Sequence, residues 1–217
     1  MEWERVKMSI VKLNNQAVKD VTTVGSISTL GSLIFIKKIT ASSSASISFV
    51  DGSSSVVFDD TYREYLFFFN NIHGQTLRED FTFQCSTDGG SNYNTNITST
   101  YYQMNNQESG GSNTNFGYLD SIDQAGGTGF QYLARDFSDD NDGSLSGYLH
   151  IFQPSSTTFV KHWMSTFQAM HEAPSGYYTN SDTASGYFNT TSAINAIQFK
   201  ATSGNIDAGE ITLFGIS

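Results

Sequence analysis

Apolar residues return at every second position in short stretches along this chain, and the stretch from Ile194 to Ile216 shows the pattern most plainly. Ile197, Phe199 and Ala201 fall on one side of an extended segment, Gln198 and Lys200 on the other, which is the two-residue period of a half-buried strand. Ser203, Gly204 and Asn205, then Asp207 to Gly209, supply turn-compatible residues, after which Glu210, Ile211, Thr212 and Leu213 alternate again. The spacing predicts two strands joined as a β-hairpin by a wide, Gly-containing connection.

Similar material runs upstream. Strands are predicted over LIFIKKIT from Leu33, over Ser46–Val50, over Ser55–Phe58 and over Tyr62–Ile72, whose run Leu66 to Phe69 is apolar on both faces and therefore central. Asp80–Ser86 alternates with Phe81, Phe83 and Cys85 inward, and Ile97–Met104 gives another strand. Residues 105–129 are the most polar stretch. Strand character returns at Phe130–Phe137, at Leu145–Gln153 and over Thr158–Met170, where Phe159, Lys161, Trp163, Ser165 and Phe167 share one register. Pro174-Ser175-Gly176 breaks that run, and Ser185–Thr190 leads into the closing pair. Roughly ten to twelve short strands separated by turn chemistry predict an all-β fold, an antiparallel β-sandwich of jelly-roll type. An up-and-down barrel is the alternative, but the uneven loop lengths favour Greek-key crossings.

The first 32 residues differ. Trp3, Val6, Ile10 and Leu13 are spaced at three or four residues, and Val21–Leu30 carries isolated apolar residues among Gly, Ser and Thr. The chain is therefore divided into an N-terminal arm, 1–32, and a β-sandwich domain, 33–217. The formal charge is −10, and it is unevenly spread: residues 1–38 carry a net of +3, leaving −13 for the remainder. Such acidity argues against nucleic acid as a partner, since a duplex binder needs a basic footprint. No signal peptide and no membrane-spanning run is expected. Cys85 stands alone, so no intrachain disulfide can form, and its strand setting marks it as a small hydrophobe.

Catalytic motifs are missing: there is no GxSxG elbow, P-loop or dinucleotide fingerprint, and His73, His150, His162 and His171 show no zinc spacing, so neither an enzyme nor a cofactor is expected. His150 and His162 lie on adjacent predicted strands, where they could meet across the sheet. The densest carboxylate cluster is DFSDDNDGS, with Asp139, Asp140 and Asp142 as candidate ligands of a hard cation beside Asp136. The EF-hand frame fails there, because Leu149 occupies the twelfth position where Glu is required. A solvated turn is the simpler reading. Tyr93, Tyr101, Tyr102, Tyr177 and Tyr178 lie near Gly/Ser-rich loops, where rings can stack on sugars or fill a core.

Several phrases carry a likeness: Asp20-Val21-Thr22-Thr23, Phe35-Ile36-Lys37-Lys38, Gly147 to Phe152, Gln153-Pro154 to His162, Phe188 to Thr191, and Thr202 to Ile216. In these the chain resembles a group of small structural proteins of tailed bacteriophages, abundant among marine and cyanobacterial phages, over about Asp20 to Ser217. The resemblance implies a virion protein made in the host cytoplasm. With no shaft, heptad run or repeat, a capsid decoration (cement) protein is expected over a tail-fibre or tail-tip receptor-binding protein that would recognise a host glycan. The expected partners are the major capsid protein or other virion proteins, within a homo-oligomer, a trimer by preference. The arm would hold the shell through Trp3, Val6, Val21, Val24, Ile27 and Leu30, with Lys7, Lys12 and Lys19 as its basic members.

Overall fold

The computed structural model describes residues 33–110 and 114–216, and the arm residues Trp3, Val6, Lys7, Lys12, Lys19, Val21, Val24, Ile27 and Leu30 lie outside them. The described chain is all-β. Its strands are β1 (Leu33–Thr40), β2 (Ile47–Val50), β3 (Glu64–Gly74), β4 (Glu79–Ser86), β5 (Ile97–Gln107), β6 (Asn115–Tyr118), β7 (Ala125–Gly127), β8 (Gln131–Phe137), β9 (Leu145–Phe152), β10 (Lys161–Ala173), β11 (Gly176–Phe188), β12 (Ala196–Ala201) and β13 (Ile206–Ile216). One turn of 3-10 helix at Asp120–Ile122 is the sole helical element among the described residues.

All thirteen strands belong to one hydrogen-bonded network, antiparallel at every pairing and nearly barrel-shaped. A long run has the order β1-β13-β3-β9-β10-β11-β5, with β6 and β7 on the far side of β5. A short run has the order β8-β4-β12-β2 and joins the long one where Phe137 of β8 meets His171 of β10. Elsewhere successive strands alternate between the runs, so the chain repeatedly crosses from one to the other. The exceptions are β6 and β7, which stay beside β5, and the meander β9-β10-β11, whose second link is the two-residue Pro174-Ser175 turn between Ala173 and Gly176.

The crossings follow from where the rings must go. Phe49, Phe81, Phe83 and Phe199 of the short run and Phe67, Phe69, Trp163, Phe167 and Phe188 of the long run are all buried. Phe199 lies 5.3 Å from Phe67 and 5.0 Å from Phe69, Phe49 lies 5.2 Å from Phe67, and Phe83 lies 5.0 Å from Trp163, mostly edge to face. Each such ring contributes roughly 1.5–3 kcal/mol by leaving water, and each edge-to-face pair about 0.5–1.5 kcal/mol more. The two runs are thus held against each other by aromatic packing. Cys85 is buried among them, and that burial pushes its thiol well above the ordinary range, as befits a packing residue.

The predicted closing hairpin is not formed. β12 sits between β4 and β2 in the short run, whereas β13 sits between β1 and β3 in the long run. Alternation shows that each strand buries one face, and it leaves open which neighbour takes the backbone hydrogen bonds; the link through Thr202–Asn205 carries the chain from one run to the other. Two further expectations are corrected. Ser55–Phe58 is no strand: Val56 and Phe58 bury their side chains from a turn closed by Gly52 N to Val56 O and by Phe58 N to Asp51 Oδ1. The thirteen residues of β11, most of which no predicted strand covers, pair along their full length with β10 and nearly so with β5. Its inward positions include Asn180, Asp182 and Ala184, so hydrophobic periodicity had nothing to register there.

Candidate interaction face

The outer face of the long run is unusual for an antiparallel sheet, in which the side away from the core ordinarily alternates to polar residues. Across it the register aligns Phe35, Phe214, Leu66, His150, Met164, Ser185 and Thr100, one from each strand from β1 to β5. The next row includes Phe68, Tyr148, Thr166, Thr183 and Tyr102. At the β1 side the rows are aromatic: Phe35 packs edge to face on Phe214 at 6.0 Å, and Phe214 on Phe68 at 5.8 Å. Phe35 is nonetheless 60% exposed, Leu33 48% and Met164 47%. A contiguous apolar surface of this kind marks an interaction site more often than a stray exposed side chain does.

The β1 edge explains why the ladder stands there. A register shift between Phe35 and Lys37 inserts a bulge, so that Phe35 and Lys38 both face outward while Ile36 and Ile39 pack on the core. Lys38 Nζ then reaches Glu210 Oε1 at 2.7 Å on the exposed surface. Among the described residues β1 pairs on one side only, with β13, and the bulge and the lysines blunt that edge against indiscriminate strand addition.

Farther along the same face the surface turns polar and hollow. Asn106 and Glu108 near the end of β5, Thr179 and Tyr177 on β11, Gln168 and Met170 on β10, and Ser144, Ser146 and Asp142 beside β9 line a trough of about 590 Å³, with Tyr178 at its end. The Tyr177 hydroxyl donates to Asp140 Oδ2 at 2.9 Å, and Thr179 Oγ1 donates to Gln168 Oε1 at 3.3 Å. Two other depressions are comparable in size: one of about 480 Å³ between Arg63 and Phe159, and one of about 460 Å³ between His73, Asp142 and Asp207.

The predicted acidic loop is spread out. Asp139 and Asp142 are exposed, while Asp140 is occupied by Tyr177 and by the Asn141 amide. Among the described residues no three His, Cys, Asp or Glu side chains come together as cation ligands would. The predicted tyrosines separate as well: Tyr101 is wholly buried, Tyr102 is exposed on the outer face, and Tyr177 and Tyr178 meet at the trough. His150 and His162 do not meet. His150 pairs across the sheet with Glu64, Nε2 to Oε2 at 2.8 Å, and His162 lies against Tyr187.

No family model, no curated protein and no solved structure matches the chain. The residues themselves carry the functional reading.

Sequence reasoning missed the buried ionisable groups. Asp182, fully buried, accepts from Gln103 Nε2 at 2.9 Å and from the Arg135 amide at 3.2 Å, and burial pushes its carboxyl up to about 6. Glu79 accepts from the Thr76 amide at 3.3 Å, and burial pushes it up to about 7. Lys161 Nζ is buried and donates to the Thr190 and Ser192 carbonyls at 3.0 and 2.6 Å, with burial lowering its pKa. None of them lines the three depressions described above; for Asp182 and Lys161 the available signal was their place in an alternation of inward positions.

Proposed function

We propose that the chain is a non-enzymatic structural protein of a bacteriophage particle, a capsid decoration (cement) protein that binds the assembled shell at capsomer junctions. The observation that carries this reading is the apolar ladder of exposed Leu33 and Phe35 with half-buried Phe214 and Phe68, set at the edge strand that follows the arm 1–32 in the chain. The arm and the ladder adjoin in sequence and supply two adhesive parts, basic and intermittently apolar in the arm, aromatic at the edge, on an otherwise acidic body. The facing runs and repeated crossings support a jelly-roll sandwich as the rigid block that carries them. The partner is the major capsid protein or a neighbouring virion protein, and the block assembles as a trimer.

Deleting residues 1–20 tests this. The truncated protein keeps its far-ultraviolet spectrum and its melting transition, yet no longer sediments with undecorated particles; full occupancy by the truncated form would end the proposal. A tail-tip receptor-binding role is the second reading, supported by the tyrosine-lined trough. Antibody labelling of particles in electron micrographs separates the two, since decoration places the label on the shell and receptor binding places it at the tail.

A further inference from the structure

We infer that the trough on the outer face binds a neutral oligosaccharide. Its floor is made by β10 and β11, each hydrogen-bonded on both sides, so it offers no backbone edge for an extended peptide to join. Its polar lining is carboxamide, hydroxyl and carboxylate: Asn106, Gln168, Ser144, Thr179, Glu108 and Asp142, with no lysine or arginine among the lining residues. Such a set repels anions, which argues against nucleotides, phosphates and sulfated or sialylated glycans. The two carboxylates fall short of a cation's needs, in keeping with the absence of a three-ligand group among the described residues.

What remains is a ligand rich in uncharged groups that both donate and accept, with a weakly polar C–H face to lay on a ring. Neutral sugars have that chemistry, and they are best held by carboxamides and carboxylates beside an aromatic side chain. The side chains of Asn106, Glu108 and Asp142 make no hydrogen bond to a described residue, so they are available to hydroxyls without breaking internal structure. Tyr177 supplies the ring. Its hydroxyl is tied to Asp140 at 2.9 Å, so little side-chain freedom is lost when a ligand settles against it. The trough volume of about 590 Å³ accommodates a short stretch of a chain rather than a single ring, and its shallow position on a sheet face lets a longer polymer run through. The site lies on β5, β11, β10 and β9, across the sheet from the β1 edge.

The experiment is an array of neutral and acidic oligosaccharides probed with the full chain, followed by calorimetric titration of the best neutral hexasaccharide. Binding of a neutral glycan is expected, weakened about tenfold or more by Tyr177→Ala and by the double change Asn106→Ala with Gln168→Ala. Phe159→Ala, in a separate depression, leaves affinity within about twofold. Asn106 and Gln168 are exposed strand residues, so the double variant still tests the trough if Tyr177→Ala fails to fold. Failure of every neutral glycan to bind, binding that ignores both trough variants, or a preference for sulfated or sialylated glycans overturns the inference. A negative result leaves shell attachment, measured by sedimentation with the arm deletion, unaffected.

Discussion

Glu79 shows what a single side chain contributes and costs here. It is 2% exposed, one carboxylate oxygen accepts from the Thr76 amide, and the other, Oε2, has no partner. Burial lifts its pKa from 4.5 to about 7, and Asp182, with more partners, rises from 3.8 to about 6. A carboxyl raised on folding means the folded state binds more protons than the unfolded state between the two pKa values. Stability is therefore fully present below the unfolded values and is lost progressively as pH rises from about 4 to about 7, then levels off. Thermal melts should show a falling Tm across that window. Glu79→Gln should flatten the upper part of the slope and raise Tm at pH 8 by about 2–5 °C. A Tm unchanged between pH 5 and 8 would remove the buried-acid account.

At the scale of elements, β13 shows how backbone geometry places the two runs. Its register against β3 shifts twice, between Ile206, Ala208 and Glu210, and Gly209 between them has φ +111°. A Cβ at Gly209 would collide with the Asn71 carbonyl and the Ile72 Cα, so both conformation and space demand glycine. Gly52, at φ +74°, has the same kind of backbone but nothing within 4 Å of a Cβ. Chemical denaturation should accordingly find Gly209→Ala destabilising by about 2–4 kcal/mol and Gly52→Ala by about 1 kcal/mol. Equal losses at both positions would show that steric approach at the bulge contributes nothing. That bulge lets β13 leave the corner at Asn205 and still align Phe214 with Phe35 and Leu66, so the outer ladder depends on it.

At the scale of the whole molecule, the ladder divides the surface into an adhesive edge and a polar trough on one sheet face. Phe35→Ser removes the most exposed ring of the described ladder while leaving β1 its backbone pairing with β13. Under the proposed role, particle occupancy falls about tenfold at limiting protein, a loss of roughly 1.4 kcal/mol, while the melting temperature changes by less than about 2 °C. Retained occupancy would locate the attachment elsewhere.

Much of this was legible in the sequence, for a local reason. Whether a strand has a buried face is written into alternate residues, so the all-β class, the inward set Phe81, Phe83, Cys85, Ile197 and Phe199, the shared register of Lys161, Trp163, Ser165 and Phe167, and the central place of Leu66–Phe69 could all be read from spacing; Phe159, read into that same register, instead lies exposed ahead of β10, where the chain is not yet paired. Which strands become neighbours is a different kind of fact. For much of this sheet it is settled by backbone hydrogen bonds between residues more than a hundred positions apart, as where Phe35 meets Phe214 and Ile197 meets Cys85, and no short window contains it. For that reason β12 and β13 read as partners yet part company, most of β11 is covered by no predicted strand although two neighbours take its backbone hydrogen bonds, and Tyr177 gained its setting only when Asn106 and Gln168 arrived from other strands.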